Sequence, residues 1–400
     1  MSTPSQTTCV DPAGFAHSVA ELVRIPSVNP LHGGPIAAAH GPIGEGALAL
    51  RLAQRLRGCG AAEVISDDVF EGRPNVYGYF PGHTDRVVAI DVHTDTVSVE
   101  HMTDPPFDGR IEAGSVWGRG ALDNKATLGV LLSLLESWHR QGLRPHPSLL
   151  VVGTVSEEAG GLAGATRFRR WVTERDIRIH QLLVAEPTDF HPVHGLRGLV
   201  LLSITTFGKS AHAATPHLGR NAIETMAPVI AAFTAEQQRL HTLGPMTALG
   251  AGCVSVTQVT GGTGSNVVPD RCSITVGRRL VVDENPHSVV AQLSAIARQA
   301  CRGECEVVSL LPPNDEGTPG TRAFYQDPSS ELVRFLAAAC GTTPNVAPFG
   351  ANALRYNGLA DEIALFGPGS IAEAHQATEK IAVDDLIRLG SVLQTWLSPS

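Results

Sequence analysis

Five short segments of this 400-residue chain gather His, Asp and Glu, and each follows an apolar run or a glycine-punctuated turn. The first is His93-Thr94-Asp95. A neutral imidazole at His93 suits a metal ion, and Asp95 could hold its other ring nitrogen. The second is Gly118-Arg119-Gly120-Ala121-Leu122-Asp123-Asn124-Lys125, where Asp123 reads either as a carboxylate shared by two cations or as a helix N-cap. The third is Ser156-Glu157-Glu158-Ala159-Gly160-Gly161. Adjacent carboxylates repel unless cations or protons relieve them, so one can ligate a metal while its neighbour takes a proton from water. Glu186, in Ala185-Glu186-Pro187-Thr188, and His375, in Ala374-His375-Gln376-Ala377-Thr378-Glu379, complete the set.

Two imidazoles, two terminal carboxylates and one bridging Asp would give each of two cations three protein ligands. Open coordination positions mark a catalytic site rather than a structural one. Water activated by such cations beside a carboxylate base is equipment for hydrolysing an amide.

These residues must be held at the ends of regular elements. Arg86–Val92, Ser148–Val155 and Gln181–Ala185 are short, apolar and β-branched, as buried strands are. Helical periods over Asp11–Arg24, Ala47–Leu56, Ala126–Trp138 and Gly164–Thr173 alternate with them. The alternation predicts an α/β domain with a mostly parallel sheet covered by helices, its chemistry at the carboxyl ends of the strands. From Leu199 the pattern changes. Strands at Leu199–Phe207, Ala251–Val259 and Arg271–Leu280 with helices at Asn221–Leu240 and Ser288–Ala300 predict an inserted α+β domain with an antiparallel sheet. The expected division is a discontinuous catalytic domain, 1–198 and 310–400, interrupted by a domain at 199–309.

A formal net charge of -9 argues against a nucleic-acid partner, since neutralising phosphate needs clustered Lys and Arg. No stretch is long and apolar enough to span a bilayer, and no basic segment followed by an apolar run opens the chain, so the expectation is a soluble cytoplasmic protein without a membrane partner. The seven cysteines have no regular spacing and read as reduced thiols.

In order and spacing the five segments resemble the M20 metallopeptidase family, which includes acetylornithine deacetylase, succinyl-diaminopimelate desuccinylase, aminoacylase and carboxypeptidase G. The likeness runs from the N-terminal helix to His375. It implies two zinc ions, replaceable by cobalt or manganese, one held by His93, Asp123 and Glu186 and the other by Asp123, Glu158 and His375. It makes Glu157 the general base and Asp95 the residue that orients His93. It makes the inserted domain a lid and dimerisation domain, by its Gly208-Lys209-Ser210-Ala211-His212 followed by Pro216, Gly219 and Asn221-Ala222-Ile223. His212 would then reach the active site of the partner in a homodimer and stabilise the oxyanion. Asn266 and Arg279 resemble the family's substrate contacts, Arg279 gripping a carboxylate, although neighbouring Arg278 could instead point inward. The segment Phe349-Gly350-Ala351-Asn352-Ala353-Leu354 departs from the family, where many members carry Gly-Thr with an Asp soon after.

The implied activity is metal-dependent hydrolysis of an N-acyl amino acid or similar small amine, of the acetylornithine deacetylase type that Glu186-Pro187-Thr188 most resembles. A dipeptidase or carboxypeptidase acting on small peptides is the alternative. A serine hydrolase built on Ser210 lacks the Gly-x-Ser-x-Gly turn. The glycine-rich run Gly261–Asn266 neither opens a helix nor precedes Lys-Ser or Lys-Thr, as a phosphate-binding loop does. A scaffold protein that had lost catalysis would not be expected to keep every candidate ligand and the base.

Overall fold

The computed structural model describes residues 12–245, 247–311, 313, 317 and 319–398. Asp11 and the N-terminal stretch read above lie outside them. The chain forms two compact units, one comprising Met1–His194, Gln326–Asn345 and Ala351–Ser400, the other Gly195–Tyr325 and Val346–Gly350. The second unit thus extends past 199–309, because the returning chain stays bonded to its first strand. Thr321 N donates to Leu199 O at 2.9 Å and Leu199 N to Thr321 O at 3.2 Å.

In the first unit the sheet runs in the order Glu63–Phe70, Arg73–Phe80, Pro147–Thr154, Thr84–His93, Ile179–Ala185, Ala360–Phe366. The last four strands are parallel. The first two form an antiparallel hairpin on one edge. This is the expected α/β class, with an antiparallel margin that the alternating pattern did not announce.

One face of the sheet buries Val88, Ile90 and Val92 against a single apolar cluster. Helices Pro12–Val23, Gly46–Gly58, Lys125–Arg140 and Val383–Leu397 supply it through Val19, Leu52, Leu131 and Leu389. The other face carries Ala163–Glu174, whose Phe168 and Trp171 pack on Tyr77 with ring centroids 5.6 and 4.4 Å away. Parallel strands covered on both faces are apolar throughout, and Pro147–Thr154 is buried at every position.

The second unit is an antiparallel sheet in the order Cys253–Gly261, Arg271–Leu280, Gly198–Phe207, Cys305–Ser309. Helices Ala222–Leu243 and Pro286–Ala300 share an apolar cluster with Cys272, Ile274, Val276 and Leu280 on one face of this sheet. Among the described residues no helix is long and apolar enough to cross a membrane.

Candidate functional site

Four parallel strands deliver their carboxyl ends side by side, and the candidate residues follow them directly. His93 ends Thr84–His93, Glu157 and Glu158 follow Pro147–Thr154, Glu186 follows Ile179–Ala185, and His375 lies in the loop after Ala360–Phe366. Gly367 makes the last approach possible. A Cβ there would stand 2.5 Å from Glu186 O, so only glycine lets the chain pass.

Asp123 precedes helix Lys125–Arg140, but Asn124 occupies the N-cap position. Asp123 instead lies between the two imidazoles, its Oδ1 2.9 Å from His93 Nε2 and its Oδ2 3.3 Å from His375 Nε2. Glu158 completes the group, with Oε2 3.1 Å from His375 Nε2. Donor atoms of His93, Asp123 and Glu158 all lie within 4.8 Å of one another, close enough to share an ion. Buried Glu186 contributes a carboxylate oxygen, Oε1, that has no hydrogen-bond partner.

The electrostatics match a site short of positive charge. Burial raises Glu157 and Glu186 well above the ordinary carboxylate range, and the charges of neighbouring carboxylates add to it. Glu158 is pushed up to about 7 by burial and by the Asp123 charge. Burial alone would lower His93, yet the hydrogen bond to Asp123 and the surrounding carboxylates hold it well above its usual value. His375 is raised to about 10 by its bonds to Asp123 and Glu158. Asp123 is held well below its usual range, since both imidazoles overcome its burial. Two carboxylates 4 Å apart repel by about 4 kcal/mol at an effective dielectric of 20. Cations held among these groups would remove that cost and would give the unpartnered Glu186 oxygen a partner. The donor set of imidazole nitrogen and carboxylate oxygen fits zinc and related divalent ions.

Asp95 departs from the role expected of its carboxylate. His93 Nδ1 donates to the main-chain carbonyl of Asp95 at 3.0 Å, while the nearer carboxylate oxygen is 3.7 Å away. The carboxylate is already engaged: Oδ1 accepts from Glu157 N at 3.0 Å, and Oδ2 from Glu158 N at 3.0 Å and Asn29 Nδ2 at 2.8 Å. Asp95 therefore fixes the main chain that carries both glutamates. With Nδ1 donating to that carbonyl, Nε2 of His93 is the nitrogen turned to Asp123 and the one that would face a cation.

Sequence reasoning missed several supporting residues. Asn29 is buried and also donates to Ala159 O at 3.0 Å, tying the third segment to the first. Glu379 accepts from Leu122 N at 3.0 Å and Asp123 N at 3.1 Å and is paired with buried Arg119. His101 Nε2 lies 3.0 Å from His375 O. Asn352, in the segment that departs from the family, donates to Asp91 Oδ2 at 3.0 Å and Thr154 Oγ1 at 2.9 Å, beneath His93. Only the glycine-rich loop before Asp123 and the His375–Glu379 segment offered a local signal for any of them.

The cluster is built wholly from the first unit. In the second, exposed His212 sits on a short strand paired with Val267, its Nδ1 accepting from Ala214 N at 3.1 Å. Ala213 N donates to Asn266 O at 2.9 Å, so His212 and Asn266 are neighbours. Arg278, on the helix-covered face of Arg271–Leu280, is buried and paired with Glu284. Half-buried Arg279 stands on the opposite face, with no carboxylate partner among the described residues.

The sequence pattern described as Peptidase family M20/M25/M40 matches residues 89–398. An acetylornithine deacetylase of Myxococcus xanthus is 31% identical over 329 residues, covering 78% of this chain and 77% of its own. A succinyl-diaminopimelate desuccinylase of Rhodospirillum centenum is 27% identical over 404 residues, covering 97% and 96%. The solved structure of an M20 family metallo-carboxypeptidase from Sulfolobus solfataricus superposes with a TM-score of 0.73 at 18% identity, over 96% of this chain and 98% of its own.

Proposed function

The chain belongs to Peptidase family M20/M25/M40, and on that premise we propose that it hydrolyses the amide bond of an N-acyl amino acid or similar small amine with two zinc ions, for which cobalt or manganese can substitute. The observation that carries this reading is the position of Asp123 between His93 and His375, with Glu158 and the unpartnered Glu186 beside them. His93, Asp123 and Glu186 would hold one cation, and Asp123, Glu158 and His375 the other. Such cations supply Lewis acidity to a water molecule and to the amide carbonyl.

Glu157 takes the proton of the attacking water and passes it to the departing amine. Asp95 holds the main-chain amide of Glu157, which sets where that carboxylate stands. From the inserted domain, His212 of a partner subunit stabilises the oxyanion, while Arg279 and Asn266 bind the substrate's carboxylate end. The deacetylase reading draws on the likeness to the Myxococcus xanthus enzyme. The six described cysteines are all free thiols, which suits the reducing cytoplasm.

Elemental analysis of the purified protein should find about two divalent cations per chain, removable by chelator together with activity. A panel of N-acetyl, N-succinyl and longer N-acyl amino acids, run beside dipeptides, then ranks the substrates. Absence of bound metal with activity indifferent to chelators would overturn the metal reading. Faster turnover of dipeptides than of every acyl amino acid would replace the deacylase with a dipeptidase.

A further inference from the structure

At the opposite ends of the strands that carry the carboxylate–imidazole cluster, the first unit contains a cavity of about 860 Å³. Helix Ala163–Glu174 ends short of the strand starts, and the chain turns back through Asp176 into Ile179–Ala185. Tyr79, Leu150, Val87 and His180, from four neighbouring strands, line the space together with Trp171 and Ile177. Leu150 lies six residues before Ser156, Val87 six before His93 and His180 six before Glu186. At the rise of an extended strand this is a separation of about 20 Å, so the cavity is distinct from the cluster. Its volume suits a small organic ligand, for which pockets run from about 300 to 1,000 Å³.

The polar groups select the kind of ligand. Arg175 lies over the Trp171 ring, 4.7 Å from its centroid, and no carboxylate pairs with it among the described residues. Arg86 and Arg178 are already engaged, with Glu331 at 3.3 Å and Asp361 at 3.1 Å. His180 Nδ1 accepts from Val87 N at 3.1 Å, which leaves Nε2 as the donor nitrogen, without a partner among the described residues. With Arg86 and Arg178 neutralised by their partners, Arg175 is the one arginine of the lining left without a carboxylate partner among the described residues, in a lining that also holds Glu63 and Asp85. One unpaired guanidinium suits a single carboxylate, and the apolar floor suits a hydrocarbon body.

We propose that this cavity binds a small apolar monocarboxylate, its carboxylate received by Arg175 and His180 and its body by Leu150, Val87 and Trp171. The probe is 3-phenylpropanoate, titrated calorimetrically into the metal-loaded full chain beside its neutral analogue 3-phenylpropanamide. The carboxylate should bind with a submillimolar Kd and the amide about tenfold or more weakly, as loss of a charge-assisted hydrogen bond implies. Arg175→Ala should weaken the carboxylate by a similar factor while unfolding at the same temperature as the parent. Ile177→Trp, which fills the cavity from a loop, provides a second variant of the same expectation. Binding to His93→Ala should be unchanged, since the cluster takes no part. No heat at millimolar probe, equal affinity for the amide, or affinity untouched in both cavity variants would each overturn the proposal. Loss of binding in His93→Ala would assign the ligand to the cluster instead and would overturn it equally.

Discussion

Asp95 serves the main chain of the two glutamates, and this separates the consequences of neighbouring substitutions. Glu157→Gln keeps the shape of the side chain and leaves the proposed ligands intact, but the amide cannot accept a proton. Metal content should stay at the parent level while kcat falls by about 10² to 10⁴. A near-normal kcat would remove Glu157 from the mechanism. Asn29→Ala acts one step further out. It deletes the bonds to Asp95 and to Ala159 O, so the glutamate loop loses one tie while Asp95 keeps its two main-chain donors. The expected result is a kcat roughly tenfold lower, with KM within about twofold and metal retained, corresponding to about 1.4 kcal/mol in the barrier. If Asn29 only stabilised the fold, unfolding would shift and kcat of the folded fraction would not.

Strand Arg271–Leu280 turns two adjacent arginines to opposite faces, because successive side chains alternate along a strand. Arg278 shares the helix-covered face, where its exposure is 3% and Glu284 is its partner. Arg278→Ala should therefore lower stability by roughly 2 kcal/mol, discounted from a fully buried pair because Glu284 is partly exposed. Chemical denaturation measures this directly. Arg279→Ala should leave stability within about 0.5 kcal/mol. If Arg279 binds the substrate's carboxylate as proposed, turnover of substrates with a free carboxylate should fall far more than turnover of the corresponding amides. Equal losses on both would give Arg279 a structural role. The period-2 rule also explains why either arginine could be singled out from the sequence, since both lie in one run and only the helices decide which face is covered.

The proposed dimer is a property of the whole molecule, and complementation tests it. If His212 of one chain serves the cluster of the other, His212→Ala and Glu157→Ala homodimers are both nearly inactive. On random exchange half the dimers are mixed, and each mixed dimer has one intact site of two, so about a quarter of wild-type activity should return. If His212 acts within its own chain, every site in the mixture lacks one group and nothing returns. Failure to complement despite demonstrated subunit exchange would count against action across the dimer.

Much of the architecture was legible in the sequence because burial leaves a local trace. Arg271–Leu280 has the same limits in pattern and structure, and Thr84–His93 and Lys125–Arg140 extend the predicted runs by a few residues. Residues able to hold cations were legible for a similar reason, since buried His and acidic residues at strand ends are costly without partners. Strand Ala360–Phe366 and the hairpin Glu63–Phe70 with Arg73–Phe80 were not read, the hairpin because its first strand is half exposed and mixes polar with apolar residues. The order of strands has no local trace at all. Pro147–Thr154 inserts between Arg73–Phe80 and Thr84–His93, pairing Thr154 with His93 and bringing the glutamate loop beside Asp95. Asn29 meets Asp95 across 66 residues of chain, and Glu379 meets Leu122 across 257. Side-chain type and local period determined which residues could ligate, and which runs would be strands or helices. Hydrogen bonds between distant segments exist only once the sheet is assembled, so the tertiary structure alone decided which residues hold the others in place.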